Sequence, residues 1–429
     1  MEHVLSSESS SIQEYTGDWQ AVQVSHLLKR TLFGATSSDI DHFKRLCMPE
    51  AVGELLQVSP APVSPPLDNY SGSWKTWVND SRDITTPDAV ALNVSRVNSL
   101  QCWWIGQLLN QGKSIQEKMT LFWHNHFSVD ASSRFSDISA RLWYNHYLTL
   151  RENALSGVRQ LVKAMLTDPA LLLFHCPPAG RRGVPGEGLV GKETLARELL
   201  EGYLFGKIPF SGFTKGDVVC VARILTGHGV DGFGQYVFQP QAHDAGDKRF
   251  SAFFDGAVIK GETGEAGASE LDTLLDILFG MRPTALFLCR KLYHFFVDYR
   301  LDSDLEENII QPLADIFIKS GYRVTAVLEA LFKSRHFYEA ARSGAFVLKS
   351  PLDFLIGICR EYGLSALAGG VPAQYENWNM LLERSLTMEK EILEIPEPGT
   401  AGYNSPGTYR QVILTGSLNN TREYHYKVS

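Results

Sequence analysis

Five segments of the chain share one spacing, in which a hydroxyl residue stands three positions ahead of an acid: Thr36-x-x-Asp39, Ser114-x-x-Glu117, Thr214-x-x-Asp217, Ser269-x-x-Asp272 and Ser303-x-x-Glu306. The hydroxyl accepts a hydrogen bond from a free helical N–H, and the acid can return one to the cap backbone. Each pair precedes apolar residues at helical spacing, and Gly227 and Gly321 stand where a left-handed C-terminal cap favours glycine. The pattern predicts helices near 21–33, 37–47, 86–111, 115–127, 134–152, 156–167, 192–205, 215–226, 270–280, 284–298, 304–320, 323–334, 350–362 and 374–393. The fold class is therefore mainly α.

Three stretches break the helical period. Residues 59–74 are Pro-rich and 176–191 are rich in Gly and Pro, which reads as two long loops. QYVFQP and KRFSAFF, within 235–260, are short aromatic and Val-rich runs on either side of a polar turn, and predict a small irregular β-hairpin. There is no internal repeat and no clear linker. The expected organisation is a polar segment over 1–20, one large multi-helix domain over 21–395, and a loop-rich extension over 396–429.

Charge and termini narrow the class further. With 40 basic and 48 acidic residues the net charge is −8, which argues against a nucleic-acid-binding surface; the one basic cluster in view is Arg181-Arg182. No segment has the length of a membrane span, and the start lacks the basic and apolar regions of an export signal. As written the chain is expected in the cytoplasm, with export or envelope association if the start is trimmed. Cys47, Cys102, Cys176, Cys220, Cys289 and Cys359 are too far apart in sequence for a CxxC motif and read as structural thiols.

Polar residues fall in three candidate blocks. His124 and His126 stand two apart, so on a regular helix they project about 200° apart and could share a metal only if the helix ended between them. Glu117 is best explained as the acid of the Ser114 box. His243-Asp244-Ala245-Gly246-Asp247-Lys248 offers a metal ligand, a carboxylate and a cation, or simply a solvated turn. The run Lys192–Glu201 puts Glu193, Arg197, Glu198 and Glu201 on one helical face, with Glu193 and Arg197 spaced as an ion pair. Gly186–Lys192 has the phosphate-loop spacing, but Glu193 follows where Ser or Thr should hold magnesium, which argues against an ATPase. Trp103-Trp104 read as core.

These blocks, taken in order, resemble a large bacterial family known as domain of unknown function 1800. The resemblance is carried by His26–Gly34 (HLLKRTLFG), Glu117–Phe127 (EKMTLFWHNHF), Ala196–Leu199 (AREL), Asp217 with Ala222-Arg223 and Thr226-Gly227, His243-Asp244-x-Gly246-x-Lys248, Arg290–Leu292 with Phe295-Phe296, and Lys349-Ser350-Pro351. The family's Asn-Glu-Asn-aromatic run before Ala-Arg-Glu is Lys192-Glu193-Thr194-Leu195 here, and its usual Trp after Thr-Gly is His228. The resemblance implies no established activity. It does imply a partner protein encoded nearby, from a group related to alkaline phosphatases.

Two functions fit these residues. The first is a metal-dependent, hydrolase-like enzyme. His124, His126, His243 and Asp244 would hold a divalent metal such as zinc, iron or manganese, with Glu198 as general base and Arg197 and Lys248 steadying negative charge. The second is a non-catalytic helical scaffold or envelope-associated binding protein whose polar motifs form a hydrogen-bond network.

Overall fold

The computed structural model describes residues 11–59, 63–80, 86–127, 129, 138–177, 189–207, 212–342, 347, 349–364 and 369–387. The extension over 396–429, Arg181-Arg182 and most of the loop over 176–191 lie outside the described residues. The molecule is mainly helical, with two small two-stranded antiparallel sheets.

In chain order the elements are α1 (Ala21–Thr31), α2 (Ser37–Phe43), α3 (Met48–Leu55), α4 (Pro87–Leu109), α5 (Gln116–His126), α6 (Ala140–Glu152), α7 (Val158–Leu166), α8 (Pro169–His175) and α9 (Leu189–Arg197). The last of these widens into a π-helical stretch, Glu198–Phe205. Then follow α10 (Lys215–Leu225), β1 (His228–Val230), β2 (Tyr236–Phe238), β3 (Lys248–Arg249), β4 (Val258–Ile259), α11 (Glu270–Gly280) and α12 (Arg282–Phe296). The series closes with α13 (Ser303–Leu305), α14 (Gln311–Lys319), α15 (Val324–Lys333), α16 (Arg335–Arg342), α17 (Pro351–Glu361) and α18 (Val371–Thr387).

The capping spacings form in part. Thr36 and Thr214 make full boxes with Asp39 and Asp217. At α5 the helix starts one residue later than the spacing predicts, with Ile115 at the cap. Glu117 is turned inward instead, accepting from Tyr147 Oη at 3.0 Å and Arg151 Nε at 2.6 Å. Ser269 makes no cap bond, and Asp302 rather than Ser303 caps α13. A buried basic partner outweighs a solvated cap for a carboxylate that can reach both. Gly227 and Gly321 do take positive φ, at 83° and 67°.

The two β-like runs do not pair with each other. Tyr236–Phe238 pairs backward with His228–Val230, and Lys248-Arg249 pairs forward with Val258-Ile259. The first hairpin is fixed by Asp231, whose Oδ1 accepts from the N–H groups of Phe233 and Gln235 at 2.9 and 2.8 Å. Three short helices, α3, α8 and α16, go beyond the predicted set.

At the centre lies α5, in which every residue but Asn125 is buried. Its polar side chains therefore need partners, and several elements supply them. Gln116 bridges the backbone of Ser59 and Arg151, Glu117 takes Tyr147 and Arg151 from α6, and Lys118 takes Asp353 from α17. Segments more than 300 residues apart in sequence meet beside it. Tyr15 N–H donates to Lys333 O at 2.8 Å, and its ring packs on Tyr338. Gly34 (φ 80°) approaches α17 so closely that a β-carbon there would stand 2.8 Å from Gly357 O.

Candidate functional site

The His243 block is a closed network. Lys248 is fully buried, and its ammonium donates to Asp244 O and to the carboxylate of Glu270. Glu270 is 1% exposed; its Oε1 lies 3.1 Å from His243 Nε2 and accepts from Glu262 N–H at 2.8 Å. His243 Nδ1 is 2.9 Å from Thr226 O. Asp244 forms a two-point pair with Arg223, at 2.8 and 2.9 Å, and that guanidinium holds its carboxyl well below the usual range. The block is also space-filled, since a β-carbon on Gly267 would stand 2.5 Å from the His243 ring. Glu270, the residue that organises the block, lies outside the polar loop and is masked in sequence by its place at a helix start.

The two histidines of α5 leave opposite sides of the helix, as their spacing requires. Burial holds His124, packed against Trp104, at about 3, and keeps His126 well below its ordinary value. The ring of His126 sits among Phe122, Phe127 and Tyr203. Its Nδ1 is 3.2 Å from Lys291 Nζ, which also donates to Gly202 O at 3.1 Å in the π-helical stretch. Burial pushes the Lys291 ammonium down to about 8, and burial with neighbouring Glu201 raises the Glu198 carboxyl. Gly202 leaves the space for that carboxyl, as its β-carbon would stand 2.7 Å from Glu198 Oε2. Arg197 reaches Glu201 at 3.4 Å from a position 43% exposed. His124, His126 and His243 thus have three different sets of neighbours. Among the described residues no three His, Cys, Asp or Glu side chains could hold one metal ion, so the zinc, iron or manganese centre expected at His124, His126, His243 and Asp244 is not assembled there.

A third place gathers residues that the family blocks contain but that the sequence reading did not offer as a site, together with Asp353. A cavity of about 150 Å³ is lined by Lys29 and Arg30 from the end of α1, Lys118 and Asn125 from α5, and Lys349, Ser350 and Asp353 at the start of α17. Lys118 is 4% exposed, donates to Asp353 Oδ2 at 2.6 Å, and lies 4.4 Å from the Phe33 ring. Burial lowers its ammonium, and Asp353 opposes that shift. Ser350 caps α17 by accepting from Asp353 N–H, so the positive end of an 11-residue helix also faces this region. The spacing Ser350-x-x-Asp353 was visible in the sequence as one more capping pair. Its acid is diverted to Lys118, and only the fold shows that.

Among the described residues no helix is long and apolar enough to cross a membrane. No curated protein matches the chain, and no solved structure does. The family model described as "Protein of unknown function (DUF1800)" matches residues 26–427, a span that contains all three centres, and the chain belongs to that family.

Proposed function

We propose that this chain is a helical binding protein for a small anionic ligand seated in the Lys118 cavity, with the His243–Lys248–Glu270 network serving the fold. One observation carries the reading: four cations and a single carboxylate line one cavity on a chain whose net charge is −8. Lys118 and Lys349 share that carboxylate and Lys29 reaches Glu361 at 4.0 Å, so the lining carries more cations than carboxylates, and apolar walls such as Leu121 and Phe295 strengthen the field inside. The cations come from blocks more than 300 residues apart in sequence, so they are gathered by the fold rather than by a basic run.

Calorimetric titration with orthophosphate, sulfate and a dicarboxylate tests it. Binding of at least one at millimolar or lower concentration is expected, weakening as salt is raised. Arg30→Ala/Lys349→Ala should weaken binding at least tenfold. No binding of any of the three by the folded chain ends the reading.

The second reading, a hydrolase-like enzyme, is favoured by a different observation. Lys291 Nζ stands 3.2 Å from a neutral His126, beside the raised carboxyl of Glu198, on a π-helical turn of the kind often found at functional sites. Here Lys291 is the proton donor, His126 the acceptor that orients it, and Glu198 a general acid–base. A panel of phosphate and carboxyl esters tests it. Lys291→Met and Glu198→Gln should each abolish turnover, and unchanged rates in both variants would remove the reading.

A further inference from the structure

We propose that the Lys118 cavity selects a phosphoryl anion that carries an adjacent O–H, orthophosphate or a hydroxylated phosphate ester, over an oxyanion that has none. The inference rests on the anion-binding reading above and adds a rule of selection to it.

The rule comes from Asp353. Its Oδ2 accepts from Lys118, and its backbone N–H is spent on Ser350, but Oδ1 is buried and has no hydrogen-bond donor. Lys349 Nζ stands 3.8 Å from that atom, which is ion-pair range but not a hydrogen bond. A buried acceptor left without a donor is destabilising, so the wall of the cavity favours a ligand that brings a proton.

The remaining lining asks for negative charge. Arg30, Lys118 and Lys349 outnumber Asp353, and the start of α17 adds its partial positive charge. A carboxylate oxygen placed among cations that are to hold an anion repels a fully deprotonated oxyanion. It accepts a hydrogen bond from one that keeps an O–H. At neutral pH hydrogen phosphate keeps such a proton and sulfate does not, although the two are nearly identical in size and geometry. The cavity, at about 150 Å³, is several times the roughly 30 Å³ a water occupies in the liquid, so a phosphoryl group fits with room for a short substituent. A site built around a hydrogen bond rejects an isostere lacking that bond far more strongly than a site built around shape.

The test is a titration of the full chain at pH 7.5 with orthophosphate, glycerol 3-phosphate and sulfate under matched ionic strength. Orthophosphate or glycerol 3-phosphate should bind at least tenfold more tightly than sulfate, and whichever binds more tightly identifies the source of the phosphoryl group. Asp353→Asn, whose amide can donate, should bring sulfate to within about threefold of phosphate. Should that variant fail to fold, the wild-type ratio decides alone. Equal affinity for phosphate and sulfate overturns the selection rule and leaves the anion reading standing. Absence of binding by all three overturns both.

Discussion

Replacing Glu270 by Gln preserves volume and removes one charge from an ion cluster whose side chains are at most 1% exposed. Lys248, 0% exposed, would keep its ammonium with only the Asp244 carbonyl and an amide oxygen to receive it. Removing one member of a buried pair typically costs about 3–5 kcal/mol, because the remaining charge is stranded without water. The geometry here puts the cost at the middle of that range, about 4 kcal/mol: Lys248 loses its counter-ion, but the Glu262 N–H can still donate to the amide oxygen. With an unfolding entropy of roughly 2.1 cal/mol/K per residue, a chain this long that melts as one unit shifts about 1 °C per kcal/mol. The expected fall in Tm is therefore about 4 °C by calorimetry, with a matching drop in denaturation midpoint by tryptophan fluorescence. The apolar pair Lys248→Met/Glu270→Leu should recover much of the loss, since it removes the desolvation penalty along with the attraction. Orthophosphate affinity of the folded double variant should equal that of the wild type. A Glu270→Gln protein melting within 1 °C of wild type refutes the reasoning. So does a double variant less stable than the single one.

Further outcomes follow from the same geometry. His124, His126, His228 and His336 are each 6% exposed or less and held neutral by burial, so the unfolded chain takes up their protons first as pH falls below about 6.5. Stability is thus full above that value and lost downward toward about 3; at roughly 1.4 kcal/mol per group per pH unit, urea melts at pH 6 and 5 should differ by about 5 kcal/mol, and equal midpoints would contradict the assignment. Lys118→Met should abolish anion binding and cost about 3 kcal/mol by stranding Asp353, while Lys118→Met/Asp353→Leu should regain stability but not binding, as thermal melts and titration would show. Gly261→Ala would place a methyl 1.9 Å from the carbonyl oxygen of Ala245 and should cost about 3 kcal/mol or more. Gly202→Ala meets only the movable end of Glu198, and should leave stability within about 1 kcal/mol on the same melts.

The helices were legible because apolar period and caps are local signals. Thr36 and Thr214 cap where the spacing places them, and α11 runs over 270–280 as read. What was not legible depended on rivals for the same side chain. Glu117 and Asp353 both stand at capping positions, yet each spends its carboxylate on a cation from elsewhere in the fold. The strand runs were seen, but their pairing depends on which turn joins which strands, and Asp231 holds the turn between His228–Val230 and Tyr236–Phe238. The α16 helix (RHFYEAAR) follows α15 with no Gly or Pro between them, so one helical pattern gives no cue that a second begins. The sites were hidden for a related reason. His243 and Lys248 look like chemistry in isolation, but Glu270 22 residues on from Lys248 closes them into a buried ion cluster. Lys118 and Lys349 stand in two separate motif blocks, and nothing in the sequence shows that they meet until α1, α5 and α17 are placed side by side.

The meeting of α1 with α17 has a consequence for how the protein comes into being. Arg30 leaves the ribosome long before Lys349 and Asp353, so a nascent chain has one wall of the cavity and not the other. Contacts of such sequence separation form late, after shorter loops have closed. The anion proposed above would then bind only a chain made at least as far as Asp353, and its occupancy would stabilise the state in which α1 and α17 have met. Ligand competence would thus report that the early and late walls of the cavity have closed on each other, where residue 34 touches residue 357.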